Sequence, residues 1–489
     1  MYRSIEQLNA VIDSLVDSAP ELCTRIFLNN SVQNRQIRAL RLRAGGGTNR
    51  RGILIVGGMH ARELMNPDAI VELATDLVAA YKSSNGLAYG GASWSSTDVR
   101  IMMETLDIWM LPCANPDGRN RVMNGDKLWR MNLRDNAGTT CDGVDPNRNC
   151  DFMWRVVGPT TVCDPCSTTQ GFVGSLPFSE PEANNIHLLC DTHRIDVFCD
   201  VHSFSGFVLF PWGHAPTQTT QPLPNFTTLL MGFCRPLDPP SHQEFMSTSD
   251  KTKYETVATR VKNKISAVRG ENYVLKTIFQ VYGGPTTGTT SDYVYSRHIA
   301  NPALRKTFAF AFETGPDLGF GRTLESFQPA NPDPIKDDTK AGLVELINQS
   351  VCAIEFIGTT ILGQSVEPIS AARDELLEPT ELGRGWIEFV DNIQVELLAI
   401  VLSDRTLTER AMSLLPRVQE LAAQREKTTV TDKDVESGIE FLEALQSRTK
   451  TPEVSDGIST VISHLKDASG QTVEAILQKL AKSDSPKLY

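Results

Sequence analysis

The chain reads as an α/β protein: a mixed, largely parallel twisted sheet covered by helices on both faces, followed by an α-helical C-terminal region. Three observations predict this. Short runs of branched and aromatic residues, closed by turn residues, recur at 52–56, 108–112, 195–201, 207–210, 274–280 and 307–312, as buried strands do. Helical patterns at 4–18, 67–81 and 180–193 lie between or before them. From about residue 364 onward the helical patterns dominate.

Each element follows from its spacing. In 4–18, Ile5, Leu8, Val11, Ile12 and Leu15 share one helix face; in 67–81, Ile70, Leu73, Leu77 and Val78 do the same. Strands alternating with such helices pack as a sheet with helices against it. The stretch 327–338 contains three prolines and ends in acids, so it reads as a loop leading into a helix from 339 to about 362. A main domain over 1–363 and a helical extension over 364–489 are therefore expected, since 489 residues exceed one compact core. The extension carries helical patterns at 386–402, 407–424, 432–447 and 454–480, without a fixed repeat. It is expected to be an appendage of the main domain, or a surface for self-association or for a partner helix.

Composition excludes several classes. Net charge is −12 and no basic stripe is present, which argues against nucleic-acid binding. The most apolar C-terminal run, 395–402, is too short to span a membrane. The first residues lack an apolar core and carry an acid at Glu6, unlike a secretory leader, so a cytoplasmic address is expected. Four of the 10 cysteines cluster at Cys141, Cys150, Cys163 and Cys166. Two local disulfides, a four-cysteine zinc site and reduced thiols all fit that spacing.

The residues with chemistry follow strands. The 52–56 run leads into Gly57-Gly58-Met59-His60-Ala61-Arg62-Glu63, the run ending at 201 into His202, and the run ending at 312 into Glu313. Ligands of open α/β sheets bind beyond the carboxyl ends of strands, so His60, Glu63, His202 and Glu313 converge. A three-residue spacing lets His60 and Glu63 face one point, and two imidazoles with one carboxylate suit zinc with a position left for water. His-x-x-Glu alone is weak, because surface pairs at that spacing are common. A lone His202 at a strand end is more often a hydrogen-bonded core residue. Two further segments add weight: Asn115-Pro116-Asp117-Gly118, by itself an ordinary turn, and Asp145-Pro146-Asn147-Arg148-Asn149, by itself a solvated loop.

Taken together, these motifs resemble the zinc carboxypeptidases of the carboxypeptidase A/B type, in the family's order, from about Ser4 to Leu362. His-Ala-Arg-Glu at 60–63 and Phe178-Ser179-Glu180-Pro181-Glu182 are similar to the A/B branch. The resemblance implies one zinc per chain held by His60, Glu63 and His202, the ligand set of carboxypeptidase A. It implies Glu313 as general base, Arg130 as the cation stabilising the oxyanion, and Asp145 as the acid orienting His60. Asn147 and Arg148 would grip the substrate's terminal carboxylate, Arg62 would line the cleft, and Tyr282 would be the mobile tyrosine, with Phe279 the alternative. The substrate would be a peptide or protein C-terminus. A zinc amidohydrolase or processing endopeptidase on the same scaffold is the other enzymatic reading; a binding protein acting through its C-terminal helices is the reading from another class. Pairing of Cys141 with Cys166 is implied by the pancreatic members, and the start of the chain matches that of the mature enzymes, without an inhibitory propeptide. Departures are a longer loop before Asp292-Tyr293 and Phe204 where tyrosine is usual. Ser291, at the position of an acid in enzymes that cut basic residues, and Gly213 bring no charge, so neutral or apolar C-terminal residues are expected.

Overall fold

Eight strands build one sheet: β1 (Cys23–Phe27), β2 (Arg38–Leu42), β3 (Arg51–Gly57), β4 (Leu106–Leu111), β5 (Val197–His202), β6 (Phe207–Phe210), β7 (Val274–Thr277) and β8 (Phe308–Glu313). Their order is β1-β2-β4-β3-β5-β8-β6-β7. The centre, β4-β3-β5-β8, is parallel; β1 with β2, β2 with β4, and β8 with β6 are antiparallel. The structure is a computed structural model that describes residues 2–45, 50–220, 225–229, 233–315, 323–352, 366–377, 380–449 and 451–484.

β3 and β5 are buried almost throughout, as central parallel strands covered on both faces must be. Register shows the two coverings. Ile53, Ile55 and Gly57 pair with Val197, Cys199 and Val201 and share one face. A Cβ on Gly57 would lie 2.6 Å from Ile70, so the helix Met65–Ser83 lies against that face. Asp200 points to the other face, where the hydroxyl of Thr290, at the start of the helix Thr290–Ala300, donates to it at 2.6 Å.

The chain divides into two compact units, Met1–Ala44 with Arg51–Ser350, and Val351–Tyr489 with Gly45–Arg50. The helix expected from 339 to about 362 instead begins at Asp333, within the expected loop, and ends at Gln349; the expected boundary at 363 lies outside the described residues. Helices of the second unit are Glu367–Leu376, Glu381–Ser403, Arg405–Ala423, Asp432–Gln446, Pro452–Lys466 and Val473–Leu480. The pattern over 454–480 is thus two helices, separated by a turn in which Gly470 adopts φ 78°. Phe389, Ile393, Leu407, Leu445, Ile458 and Ile462 form part of this unit's own core. Among the described residues, no helix is long and apolar enough to cross a membrane.

Two expectations in the first unit change. The run 274–280 is not one strand: β7 ends at Thr277, whose hydroxyl caps the helix Ile278–Tyr282 in a box with Gln280. Disulfides join Cys141 to Cys166 and Cys163 to Cys234. The second bridge does not use Cys150, which is a buried free thiol, and the pairing removes the four-cysteine zinc reading.

Candidate active site

At the end of β3 the backbone must turn sharply toward the helix Met65–Ser83. Gly58 takes φ 63°, and a Cβ there would meet Cys113 at 3.1 Å and Pro67 at 3.0 Å. The turn places His60 and Glu63 just ahead of the helix, with Glu63 N–H donating to His60 O at 3.2 Å. β5 ends on His202 and β8 on Glu313, and the two residues are register partners. Side chains of residues paired in register share a face, so the parallel pairing itself sets Glu313 beside His202.

The three donors converge. His60 Nδ1 lies 2.9 Å from Glu63 Oε1 and 3.0 Å from His202 Nδ1, which is 3.2 Å from Glu63 Oε2. All three residues are buried. Two ring nitrogens face to face in a dry site set lone pairs or protons against each other, unless a cation lies among them. The outer nitrogens have acids behind them: Asp145 Oδ1 is 3.3 Å from His60 Nε2, and Asp200 Oδ2 is 2.9 Å from His202 Nε2. Acids on that side favour protons on Nε2, which would leave both Nδ1 lone pairs facing the shared centre, as metal-binding histidines require. The donor set fits zinc.

Charges surround the cluster. Burial disfavours the Glu63 carboxylate, yet His60 and His202 hold its pKa well below the usual range. Burial, aided by the Arg130 charge, lowers the pKa of His60. Burial works against the His202 cation too, but Asp200 and Glu63 raise its pKa well above its ordinary value. Burial pushes the Glu313 carboxyl up to about 7, with Glu63 adding to it, while His202, Tyr282 and Arg130 oppose the rise. A carboxyl so placed is matched to proton transfer near neutral pH.

The remaining predicted residues gather around this centre. Arg130 Nε donates to Asp145 Oδ2 at 2.9 Å, and its carbonyl accepts from Ala61 N–H at 2.9 Å. Asp145 also caps the short turn Pro146–Arg148, accepting from Asn147 N–H at 2.9 Å. Arg148 is buried, with Nε donating to Thr160 O at 3.0 Å and Nη1 to Asn147 O at 2.5 Å. The Asn147 amide oxygen accepts from Thr290 N–H at 2.8 Å, and its nitrogen lies 3.0 Å from His202 Nε2. Tyr282, the last residue of its helix, donates its hydroxyl to Glu313 Oε1 at 2.9 Å. Arg62 lies over the Phe327 ring at 4.3 Å, and Phe204 packs edge-on against the same ring.

Asp200 and Thr290 are absent from the sequence reading. The signal for Asp200 was Asp-x-His at the end of a strand, a spacing that puts both side chains on one face. Thr290 sits in a loop-to-helix junction and left no comparable mark.

This arrangement is that of a hydrolytic metal centre: a His, Glu, His set at strand ends with a buried carboxyl and two arginines around it. The model of the family described as zinc carboxypeptidase matches residues 8–332, and the chain belongs to that family. It is a metallocarboxypeptidase and its cofactor is zinc. Mouse carboxypeptidase A4 is 26% identical over 344 residues, covering 70% of this chain and 68% of the relative. Carboxypeptidase B of the crayfish Astacus astacus is 29% identical over 291 residues, covering 58% and 80%. Among solved structures, thrombin activatable fibrinolysis inhibitor matches with a TM-score of 0.55 at 17% identity, over 72% of this chain and 74% of that one. Carboxypeptidase A from Helicoverpa armigera matches with a TM-score of 0.51 at 22% identity, over 71% and 74%. Both structures share the fold.

Proposed function

We propose that this chain removes single residues from peptide C-termini, with a preference for neutral or apolar ones. The observation that carries the reading is the pairing of Glu313 with His202, which sets a carboxyl titrating near neutrality beside the zinc donors. His60, Glu63 and His202 would hold the metal, which supplies Lewis acidity to a carbonyl oxygen and acidity to a water. Glu313 takes a proton from the attacking water and passes it to the leaving amine. Arg130 offers its guanidinium to the developing oxyanion, held in place by Asp145. Arg148, fixed by two backbone carbonyls, binds the terminal carboxylate with parallel hydrogen bonds. Asn147 shares that role, and Arg62 lines the approach. Tyr282 closes over the site and donates to Glu313 when no substrate intervenes.

The preference rests on Ser291 and Gly213. Ser291 is buried with its hydroxyl toward Phe310 O at 3.4 Å. The neighbouring acid, Asp292, is buried and accepts Gly213 N–H at 2.8 Å. For the C-terminal helices we propose a surface for a partner or a second copy, on faces other than those that build their own core. The two disulfides support an oxidising compartment over the cytoplasmic address expected from the N-terminus.

Mass spectrometry of a random peptide library after digestion tests the activity and the preference together. Loss of one C-terminal residue, fastest for apolar ones, is expected. Release of Lys and Arg at equal or greater rates would overturn the preference, and internal cuts would favour an endopeptidase. Retention of both bridges in protein isolated under thiol-blocking conditions tests the compartment; fully reduced cysteines would return the address to the cytoplasm.

A further inference from the structure

A second buried cluster uses none of the residues of the proposed reaction. His214 follows β6, and His242 and Glu244 lie at the far end of the excursion that begins there. Glu244 N–H donates to Pro216 O at 2.8 Å, and Glu244–Phe245 pairs with Thr217–Gln218, so the two ends of the excursion are held side by side. Relative exposures are 0% for His214, 4% for His242 and 1% for Glu244, so the trio is shut away from water.

Its donor set repeats that of the active site. His242 Nε2 lies 2.9 Å and His214 Nε2 3.1 Å from one oxygen, Glu244 Oε2. In the active site the two imidazoles instead face separate oxygens of Glu63 and each other, at 2.9, 3.2 and 3.0 Å; what the clusters share is a buried His, His, Glu donor set close enough to hold one ion. The other Glu244 oxygen accepts Phe245 N–H at 3.0 Å, which fixes the carboxylate. A carboxylate also stands behind the ring: His214 Nδ1 has no hydrogen-bond partner, and its nearest acid is Asp292 Oδ2 at 3.8 Å. An acid on that side of the ring favours a proton on Nδ1 and leaves Nε2 toward Glu244, as an acid behind a metal-binding histidine does. Phe152 and Trp212 wall the His214 ring at 5.0 and 5.4 Å between centroids.

We propose that His214, His242 and Glu244 form a second divalent-cation site, suited to zinc and structural in role. Two imidazoles and a carboxylate are borderline donors that favour zinc over calcium or magnesium, which take mostly oxygen. A cation here ties the ends of the excursion between residues 214 and 244, whose middle is held by the Cys163–Cys234 bridge. It also stands behind the specificity wall, because His214 follows Gly213, whose N–H donates to Asp292 beside Ser291. The alternative is a metal-free trio in which both imidazoles donate Nε2–H to Glu244.

Zinc content of the full chain, after loading and dialysis against metal-free buffer, separates the two. Wild type is expected to hold two zinc ions, His202→Ala one, His242→Ala one, and the double variant none. In His202→Ala, added zinc is expected to raise the thermal midpoint by a few degrees, and the further change His242→Ala to abolish that shift. A His202→Ala chain with no zinc and no thermal response overturns the proposal, and it does so with the second cluster intact, whether or not a His242 variant folds. The peptidase reading stands or falls separately: peptide turnover tests it, and the zinc of His202→Ala does not.

Discussion

Replacing Asp145 by Asn changes charge and almost nothing else, which makes it the sharpest probe of how the site is wired. Asp145 is fully buried between two partners, with Arg130 Nε at 2.9 Å and His60 Nε2 at 3.3 Å. Burial works against its carboxylate, yet Arg130, His60 and Arg148 hold its pKa well below the usual range. At about 3 Å and an effective dielectric near 20, the gross attraction to one such cation is about 5 kcal/mol. Leaving the Arg130 cation unpaired should cost about 3–5 kcal/mol of stability. An amide also presents a donor where His60 or Arg130 presents one. Loss of the acid behind a metal-binding histidine typically weakens metal affinity about 10- to 100-fold. With zinc restored to saturation, a misaligned Arg130 should still lower kcat by about 10²- to 10³-fold, the usual loss for one oxyanion donor. Chelator competition, kinetics at saturating zinc and a thermal melt read the three effects apart. A variant that melts lower but keeps wild-type zinc affinity and kcat would show that Asp145 only supports the loop.

Glu313→Gln should retain zinc and lower kcat by orders of magnitude, with KM little changed; near-normal kcat would assign the base elsewhere. The activity of wild type requires Glu313 ionised, so kcat/KM should fall as pH drops through its pKa, above the ordinary 4.5 and no higher than about 7, since a cation at the donors pulls it down. Tyr282→Phe removes a hydrogen bond that favours the carboxylate and should move this acidic limb to higher pH by about one unit; an unmoved limb would separate Tyr282 from the base. Arg148→Ala should depress kcat/KM for free-acid peptides by about 2–5 kcal/mol and change the low rate on amides little. Equal losses on both would make Arg148 structural.

Much of this site could be read from spacing because strand ends deliver its residues. His202 and Glu313 close runs of buried residues, and parallel neighbours put strand ends side by side whatever lies between them. His60 and Glu63 were legible for a local reason, three residues apart in a turn. Elements with weaker hydrophobic contrast were harder. β2, Arg38–Leu42, sets two arginines three apart among apolar residues near the sheet edge, which breaks the strand period, and the 22-residue helix Thr248–Arg269 presents lysines and arginines over much of its surface. Asn115-Pro116-Asp117-Gly118 passes for a turn but starts the helix Pro116–Met123, with the Asn115 side chain accepting from Gly118 N–H at 2.9 Å. The run 274–280 misled because apolar residues continue past Thr277, although Thr277, Gln280 and Gly283 spell a capped helix. The His214, His242 and Glu244 cluster was invisible for a different reason. Its members sit in an irregular excursion, where neither a helical nor a strand period predicts which side chains meet.

The most direct measurement is kcat/KM of the zinc-loaded chain on one apolar-ended peptide and on its C-terminal amide, with products identified by mass. The account predicts release of a single terminal residue from the acid, a rate at least two orders of magnitude lower on the amide as expected when a buried ion pair of about 3 kcal/mol is lost, and no turnover of either after zinc is stripped. Internal cleavage, comparable rates on acid and amide, or full activity in the zinc-free chain would contradict it.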